Sequence, residues 1–545
     1  MNSYKEKNIN LLKGVSDYFE NQKKVDGSIF CHKDRIEHTG KNTYSIIIDI
    51  ALYQNTKDEI YFQRALGRAK RAVENLIYIK EDDCYIFYPG SQNNRNASNS
   101  IIDGGAIIDS LSLFLKNFAD KLESHDYEKI KNVIIKHSNT YLKKYVIDKP
   151  ITNQRLWGAS GLASAYNIFT DRNDWRDAVI ASIKKSLDEQ NKDGSFSYHP
   201  NYKEINGHPG MSDISPYYHG RHIAFILHSL EMLNEDIDNY LEPLVKATNV
   251  LLAMYEPSGI KNMFLEGKRW YWNSIYEVAS NSYDIYVFTK MYEITGDSNY
   301  LIYANRSLEA LLEHQLEDGG ITSNKGGGDN WQCRIVWNSH IAWLAKVVDK
   351  LLPNESNNTP DIFYKFDDCG LIKKENKNYC FILRYKKKPM NIDWGGHIGG
   401  GNLLYYGKVD DGWKNISPLS LLKIKPTWQS CRKNANIIKR GKNNLKQFIK
   451  NNKDAIIGER WRSYVYLTSG NIIGSIVRFW REVIKKYVGY NNEYSDIWAT
   501  DAELLEFSNK NIKIKTNFVR HNGGILEDKN ILKEYIIEDD CLDIK

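Results

Sequence analysis

Apolar residues recur at helical spacing through about the first 350 of the 545 residues, and this regularity limits the possible folds more than any other feature. The spacing predicts helices near residues 40–53 and 157–169. It also predicts the longer helices Tyr4–Gln22, Lys57–Ile79, Ile101–Leu122, Tyr127–Val146, Trp175–Gln190, Arg221–Leu233, Ile237–Met254, Val278–Thr295, Tyr300–His314 and Val336–Leu351. Together these make about a dozen helices, or roughly six helical hairpins.

A short pattern recurs where three of the predicted helices end. It consists of a Gln, a short spacer and Asp-Gly, and it lies at Gln22–Ser28, Gln190–Phe196 and Gln315–Gly320. At a helix end, Asp-Gly makes a tight turn in which the glycine has a positive φ. Recurrence at equivalent helix ends indicates a repeat architecture. The pattern resembles the turns of (α/α) toroids, in which inner and outer helices alternate around a barrel.

Residues 353–360 separate the helical part from a different kind of sequence. Pro353–Pro360 is polar and has a proline at each end, which is typical of a linker. Short segments of alternating polarity follow at Tyr379–Tyr385, Asn402–Tyr406, Ser463–Leu467 and Ile512–Thr516. Such alternation between Gly- and Asn-rich turns predicts an antiparallel β-sandwich. We therefore expect an N-terminal (α/α) toroid of about six helical hairpins at residues 1–352, a linker at 353–360 and a C-terminal β-sandwich at 361–545.

The composition argues against several classes of protein. Formal net charge is +6, from 74 Lys and Arg against 68 Asp and Glu, which suits an acidic glycan partner but is too small for a typical nucleic-acid-binding protein. The seven cysteines are scattered without a C-x-x-C spacing, so neither a disulfide framework nor a zinc ribbon is predicted. No apolar run is long enough to span a membrane, and the amino terminus has no apolar signal-peptide core. We expect a cytoplasmic protein, or a secreted or periplasmic one if a leader precedes Met1, with no cofactor.

The densest group of polar side chains lies between residues 198 and 222. Its imidazole, phenol, guanidinium and carboxyl groups belong to His199, His208, Asp213, Tyr217, Tyr218, His219, Arg221 and His222. A long loop punctuated by Gly and Pro inside a compact domain is more often functional than not, although a solvated surface loop is the alternative. The two histidines at positions 219 and 222 are too weak a pattern to predict a metal site without a nearby acid or Cys set.

The layout of a helical toroid followed by a sandwich resembles α/α-toroid polysaccharide lyases of the heparinase II/III and alginate lyase kind. Asp193–Phe196 reads Asp-Gly-Ser-Phe and leads through the His-bearing loop to Ser215–Tyr218, which reads Ser-Pro-Tyr-Tyr. In such lyases a Tyr on this loop acts as base and acid. The resemblance therefore implies this role for Tyr218, or for Tyr217.

The resemblance also implies residues that hold the substrate carboxylate. Asn153 begins a segment, Asn-Gln-Arg-Leu-Trp-Gly, that resembles the helix start carrying a carboxylate-neutralising Asn, and Gln154 stands where a His is often found. His199 and His208 in the loop are further catalytic candidates. His397, which lies among five glycines, would complete the cleft from the sandwich, and a cap on a turn is the alternative role for it.

β-Elimination at a uronate suits these residue types. It removes a weakly acidic proton beside a carboxylate, so the developing enolate charge has to be stabilised. A Tyr hydroxyl titrates at about 10, and a cation beside it favours its charged form. Arg221, one helical turn after Tyr217 or Tyr218, could supply that cation. Candidates for substrate binding, although any single Trp is more often part of a core, are Gln154, Trp157, His219, His222, Trp272, Trp331 and Trp394.

A pair of carboxylates defines the main alternative. Toroidal glycoside hydrolases, including those that act on unsaturated uronyl sugars, need two acidic groups beside the scissile bond, and Asp103 with Asp213 or Asp284 could supply them. A helix N-cap followed by Gly is the other role that the sequence favours for Asp103. The leading hypothesis is a polysaccharide lyase that acts on an acidic polysaccharide or oligosaccharide. A glycoside hydrolase, a uronyl C5-epimerase and a non-catalytic glycan-binding protein of polysaccharide synthesis are the alternatives.

Overall fold

The chain divides into two compact units. A computed structural model describes residues 2–30, 37–87, 98–198, 200, 214–262, 278, 280–322, 334–350, 359–386, 401–408, 497–520, 525–539 and 541–544. The first unit, here the helical unit, comprises Met1–Gln190, Tyr218–Thr248 and Val278–Ser356. The second, here the strand unit, comprises Asn191–Tyr217, Asn249–Glu277 and Asn357–Lys545.

The part of the chain before residue 351 is mostly helical, as predicted. Its described α-helices are α1 (Asn2–Gln22), α2 (Thr39–Thr56), α3 (Glu59–Glu74), α4 (Ser98–Phe118), α5 (Ser124–His137), α6 (Lys143–Tyr145), α7 (Thr152–Ile168), α8 (Asn173–Asp188), α9 (Pro216–Leu233), α10 (Leu241–Ala253), α11 (Asn281–Thr295), α12 (Ser298–Leu312), α13 (Arg334–Ser339) and α14 (Ala342–Ala345). Among the described residues, no helix has both the length and the apolar character needed to cross a membrane.

Several predicted helices have different limits in the structure. The helix predicted at Arg221–Leu233 begins at Pro216 and so includes Tyr217 and Tyr218, which were predicted to lie in a loop. The helix predicted at Lys57–Ile79 ends at Glu74, and its last four residues form strand β1 (Leu76–Ile79), which pairs with β2 (Cys84–Phe87) in an antiparallel hairpin. Asn75 ends the helix, and the Leu-Ile-Tyr-Ile sequence after it favours a strand. The helix predicted at Val336–Leu351 is interrupted at His340, between α13 and α14.

Burial divides the helices into two kinds. Inner helices are buried all round, as in α2, where every residue from Thr39 to Leu52 is buried. Outer helices bury a single stripe, which in α3 consists of Tyr61, Phe62, Ala65, Arg68, Ala69 and Ala72. A helix buried on every side lies inside a protein, whereas one with a single buried stripe lies on its outside. On this criterion α2, α7 and α11 are inner helices, and α3 and α8 are outer ones.

The inner helices contact one another in a closed circuit. α2 packs on α4, α4 packs on α7, and α14 packs on both α11 and α2. Side chains join the remaining neighbours, since the rings of Trp157 in α7 and Phe225 in α9 are 5.1 Å apart and those of Phe225 and Tyr283 in α11 are 5.7 Å apart. α2, α4, α7 and α11 each pack on the helix that follows them in the chain. The helical unit is thus a ring of helical hairpins around a central layer of aromatic side chains.

The three Asp-Gly turns have the predicted conformation. φ is 80° at Gly27, 92° at Gly194 and 82° at Gly319. In each turn the Asp carboxylate accepts a hydrogen bond from a backbone N–H two residues later. A fourth turn with the same glycine conformation, at Gly259 with φ of 78°, follows α10. The sequence pattern missed it because Ser258 stands where the other turns have Asp.

The strand unit contains antiparallel sheets, as predicted for the sequence after residue 360. Its described strands are β3 (Ile362–Phe366), β4 (Leu371–Glu375), β5 (Tyr379–Arg384), β6 (Asn402–Lys408), β7 (Ile497–Phe507), β8 (Asn511–Arg520), β9 (Ile525–Ile537) and β10 (Leu542–Ile544). They form two sheets, in the orders β3-β4-β5-β6 and β10-β9-β8-β7. The sheets touch through Phe363 and Phe507, whose ring centroids are 5.3 Å apart. The sandwich and the domain limits at 353–360 stay predictions, and the strand predicted at Ser463–Leu467 lies outside the described residues.

Two segments that follow helices also belong to the strand unit. One carries Asp193, whose Oδ2 accepts hydrogen bonds from the backbone N–H groups of Asp368 and Cys369, both at 2.8 Å. The other carries Tyr255, whose carbonyl accepts a hydrogen bond from Lys373 Nζ at 2.8 Å. The chain therefore passes between the two units more than once.

A prediction concerns the close approach of α4 and α7. A Cβ atom on Gly161 would lie 2.3 Å from the carbonyl oxygen of Gly105 and 2.7 Å from its Cα. Gly161→Ala is therefore expected to lower the free energy of unfolding by about 1–3 kcal/mol, because the two backbones have to separate. Urea denaturation followed by tryptophan fluorescence measures the change.

Gly67→Ala is the matched control. Gly67 is exposed in α3, and an added Cβ would have no heavy atom within 4 Å. Gly67→Ala is expected to raise the free energy of unfolding by about 0.5–1 kcal/mol, since alanine has the higher helix propensity. Equal shifts in the two variants would mean that α4 and α7 do not touch at these glycines.

Candidate active site

Side chains from the first two turns of five inner helices meet with His340 at one end of the ring. Because each inner helix is followed by an outer helix that returns, the inner helices run in the same direction and begin at the same end. The residues that meet there, here the N-terminal cluster, are Lys41 of α2, Asp103 of α4, Trp157 of α7, Tyr218 and Arg221 of α9, Tyr283 of α11 and His340. Of these, the sequence predicted Asp103, Trp157, Tyr218 and Arg221 as site residues.

Arg221 lies at the centre of the N-terminal cluster. Its Cζ is 5.8 Å from the ring centroid of Trp157, 5.4 Å from that of Tyr218 and 4.7 Å from that of Tyr283. Its Nη2 donates to Nδ1 of His340 at 3.4 Å. A guanidinium beside aromatic faces gains roughly 0.5–2 kcal/mol per contact. Since Arg221 is only 2% exposed, its charge is held in a fixed position among these rings.

Lys41 and Asp103 form an ion pair on another side of Trp157. Lys41 Nζ lies 3.2 Å from Asp103 Oδ1 and 4.7 Å from the Trp157 ring centroid. A Cβ on Gly40 would lie 2.6 Å from the same carboxylate oxygen, so glycine makes room for the carboxylate. The Asp103 side chain is 31% exposed and can meet a ligand. With Arg221 included, the cluster holds two cations and one carboxylate among the described residues.

The two buried histidines near Arg221 are neutral at neutral pH. Burial lowers the pKa of His340 well below its ordinary value, and the charges of Arg221 and Lys41 lower it further. Burial also lowers the pKa of His222 well below its ordinary value, with smaller effects of the neighbouring cationic groups. Neutral His340 can accept the hydrogen bond that Arg221 donates. Because His340 carries no charge, it does not repel the Arg221 guanidinium.

The two tyrosines at the start of α9 differ in exposure. Pro216 is the first residue of the helix, where its fixed φ is favourable, and the tyrosines follow it in the first turn. Tyr218 is half-buried, whereas Tyr217 is 2% exposed. The ring of Tyr218 also lies beside the guanidinium of Arg221. Tyr218 is therefore the better placed of the two to contact a substrate.

Asn153 and Trp157 lie one turn apart on the same face of α7. Asn153 is buried, and its Oδ1 has no hydrogen-bond partner within the described part of the chain, while Gln154 beside it is half-buried. Trp157 is 3% exposed, and its ring centroid is 6.3 Å from that of Tyr44 and 5.1 Å from that of Phe225. This placement favours packing in the aromatic layer over stacking on a sugar ring.

The other predicted site residues are not brought to Arg221 by the described structure. His219 is fully buried, and its Nε2 donates to the carbonyl oxygen of Ala247 in α10 at 2.9 Å, which ties α9 to its outer helix. Asp284, one of the alternative carboxylates, is fully buried in α11. Predicted residues outside the described residues are His199, His208, Asp213, Trp272, Trp331, Trp394 and His397.

Sequence reasoning missed Lys41, Tyr283 and His340. A signal for two of them is present, since Lys41 is a charged residue within a buried helix and His340 follows the apolar residues of α13. All three lie near the start of an inner helix, as Tyr218 does. Comparing equivalent positions at the start of each inner helix would have brought them together.

Comparisons with known proteins give structural similarity at low sequence identity. No protein-family model matches the chain, and no curated protein matches it in sequence. A cellobiose 2-epimerase from Bacillus thermoamylovorans B4167 is 12% identical, covers 64% of this chain and 100% of its own, and has a TM-score of 0.46. A glycosyl hydrolase of family 88 from Bacteroides vulgatus is 11% identical over 64% of this chain and 100% of its own, with a TM-score of 0.48. A polysaccharide lyase is 13% identical over 65% of this chain and 100% of its own, with a TM-score of 0.46. At this level of similarity, the reaction has to be argued from the residues of this chain.

A prediction on pH follows from the buried histidine. Because the pKa of His340 is lowered on folding from its ordinary 6.5, the unfolded chain binds a proton that the folded chain rejects. The contribution of His340 to the free energy of unfolding is therefore fully present above pH 6.5 and is lost as the pH falls below 6.5. His340→Gln should therefore flatten the fall in unfolding free energy between pH 6.5 and about 5.5 by up to about 1.4 kcal/mol per pH unit.

Urea denaturation at several pH values measures this slope. The matched control is His125→Gln, which removes an exposed imidazole from α5. An equal slope in the His340→Gln and His125→Gln variants would contradict the assignment of His340 as a buried neutral group.

Proposed function

We propose that this protein is an enzyme with an (α/α) toroid and a C-terminal β-sandwich, and that it cleaves a uronate-containing polysaccharide or oligosaccharide by β-elimination. The observation that carries the proposal is the half-buried Tyr218 beside the guanidinium of Arg221, in a cluster with an excess of positive charge. A phenol next to a fixed cation can act as base, and an excess of positive charge attracts an acidic sugar.

Tyr218 would act first as base and then as acid. As phenolate, it removes the proton at C5 of the uronate, and the electron pair forms the double bond between C4 and C5 as the glycosidic C4–O bond breaks. The departing oxygen takes the proton back from Tyr218. Arg221, with its Cζ 5.4 Å from the Tyr218 ring, favours the phenolate that the first step needs.

Lys41 and Asn153 would stabilise the enolate that forms beside the substrate carboxylate. The Lys41 side chain is 11% exposed and lies next to the ring of Trp157. Trp157 in turn lies one helical turn from Asn153 on α7. The buried Asn153 amide has an oxygen without a partner among the described residues, and the two ends of an amide exchange by rotation. Donors fixed in a water-poor site stabilise developing charge more strongly than donors in water do.

Replacement of Tyr218 tests the proposal. Tyr218→Phe is expected to lower kcat by about 100- to 10,000-fold, because the proton acceptor is lost, while substrate binding remains. The assay follows the ultraviolet absorbance of the unsaturated uronate product during incubation with a panel of uronate polysaccharides and oligosaccharides. Binding of the same glycans is measured in parallel by calorimetry.

Tyr217→Phe is the matched control, since it removes the same hydroxyl from the adjacent, buried residue. It should keep most of the activity. Loss of turnover in Tyr217→Phe with full activity in Tyr218→Phe would reassign the base. Absence of an unsaturated product from every glycan tested would reject elimination.

A glycoside hydrolase is the second candidate, and the exposed carboxylate of Asp103 favours it. The Asp103 side chain is 31% exposed at the same end of the ring and is held by Lys41. A hydrolase would release reducing ends without ultraviolet absorbance, and Asp103→Asn would abolish the release while Tyr218→Phe would not. A uronyl C5-epimerase would instead exchange the C5 proton with solvent without cleaving the chain.

A further inference from the structure

A second polar cluster lies inside the ring, on the opposite side of the aromatic layer from Arg221. Its members, here the C-terminal cluster, are Asp109, Ser164, His228 and Lys346, all of them buried or nearly so. Lys346 Nζ donates to Asp109 Oδ2 at 2.8 Å, and Ser164 Oγ donates to Asp109 Oδ1 at 2.6 Å. His228 Nε2 lies 2.9 Å from the same Oδ1. His228 follows Arg221 by seven residues in α9, so the two clusters are roughly 10 Å apart along the helix.

A cavity of about 180 Å³ opens next to the C-terminal cluster. One wall comes from α2 and α4 and is mainly apolar, with Ile50, Ala51 and Leu113. The facing wall comes from α9, α11 and the end of α14, and it is polar, with Glu231, Tyr286 and Lys346. The side chain of Glu231 is 45% exposed, so the cavity is reached from solvent.

Charges around the cavity are balanced within the protein. Lys346 is paired with Asp109, and Glu231 is paired with Lys290 at 2.7 Å. Asp349, the remaining acidic residue of the lining, is paired with Lys5 at 3.5 Å. Burial would raise the pKa of Asp109, but Lys346 and His228 outweigh it and hold the pKa below its ordinary value, so the pair stays ionised. Burial and the Lys346 charge together lower the pKa of His228. Among the described lining residues, a charged ligand would find no unpaired charge of opposite sign. The free energy that it loses when its water is removed would therefore not be recovered by an ion pair.

We propose that this cavity binds a neutral polyhydroxylated molecule of monosaccharide size. Hydroxyl groups both donate and accept, and the polar wall offers an ammonium, a carboxylate and a phenol within one cavity. The C–H face of a sugar ring packs against apolar side chains, which the opposite wall supplies. The volume corresponds to roughly six water molecules, which fits one sugar ring and not a longer oligosaccharide.

The second site does not depend on the proposed elimination reaction. Its residues lie beyond the aromatic layer, whose members include Trp157 and Phe225, and none of them belongs to the N-terminal cluster. Occupancy of the cavity would add contacts between α2, α4 and α9, helices that all line it. A bound sugar would therefore stabilise the folded chain whether or not the enzyme turns over a glycan.

Isothermal titration calorimetry of the full chain tests the proposal, with glucose, galactose, mannose and xylose as neutral probes, glucuronate as the anion and glycine as the zwitterion. At least one neutral sugar is expected to bind with one site per chain and to raise the unfolding temperature. Ala51→Leu fills the cavity from its apolar wall and should weaken this binding about tenfold or more. Leu113→Phe is a second filling variant, used if Ala51→Leu loses its native circular dichroism.

Lys41→Met separates the two ends of the ring, because it removes a cation that the proposed reaction uses to hold the substrate carboxylate and leaves the cavity lining intact. Sugar binding that survives in Lys41→Met and is lost in the filling variants would support the proposal. Binding that survives in the folded filling variants would place the sugar elsewhere and overturn it. Binding of glucuronate or glycine alone would reject the neutral ligand class, and no binding of any probe would reject the site.

Discussion

A hydrogen bond from Trp343 Nε1 to the hydroxyl oxygen of Tyr44, 2.8 Å long, joins residues 299 positions apart and brings α14 back to α2. It completes a layer of aromatic side chains to which five inner helices contribute. The members of this layer are Tyr44, Trp157, Phe225, Tyr283 and Trp343. Because protein interiors are close-packed, none of these five helices can slide along its axis without opening a void or making a clash. The layer therefore fixes the position of each of these helices along its axis, and with it the position of the side chains on both sides of the layer.

The same layer separates two sets of buried charges. Arg221 lies on one side, and the pair of Asp109 and Lys346 lies on the other. A buried charge is tolerated only where partners replace the water it has lost, and each set finds those partners on its own side. The aromatic layer thus lets one ring hold two polar clusters with different compositions, one with an excess of positive charge and one that is balanced.

Much of the helical part was predictable because its elements are defined by local sequence. Helical periodicity and Asp-Gly turns need only neighbouring residues, and the close relation of Tyr218 and Arg221 follows from their spacing on one helix. The partner of Arg221 is different, since His340 is 119 residues away and meets it only when the ring closes. The break at His340 was missed for a related reason, because tertiary packing overrode helical periodicity there. The strand after Asn75 differs, since its Leu-Ile-Tyr-Ile sequence is a local signal for a strand that the helical periodicity outweighed. The sequence therefore predicted Tyr218 and Arg221 as site residues but not His340, which contacts Arg221 from a distant part of the chain.

The common direction of the inner helices has an electrostatic consequence of its own. A helix carries about half a positive charge at its amino terminus and half a negative charge at its carboxyl terminus. α2, α4, α7, α9 and α11 all begin at the end where Arg221 and Tyr218 lie, so their partial charges add there. At the other end, Lys290 pairs with Glu231 near the end of α9, and Lys350 pairs with Glu293 near the end of α11. Because the outer helices run the opposite way, the dipole of the ring as a whole largely cancels. The positive ends of the inner helices nevertheless face the N-terminal cluster, so the path of the backbone favours an anion there before any surface side chain is counted.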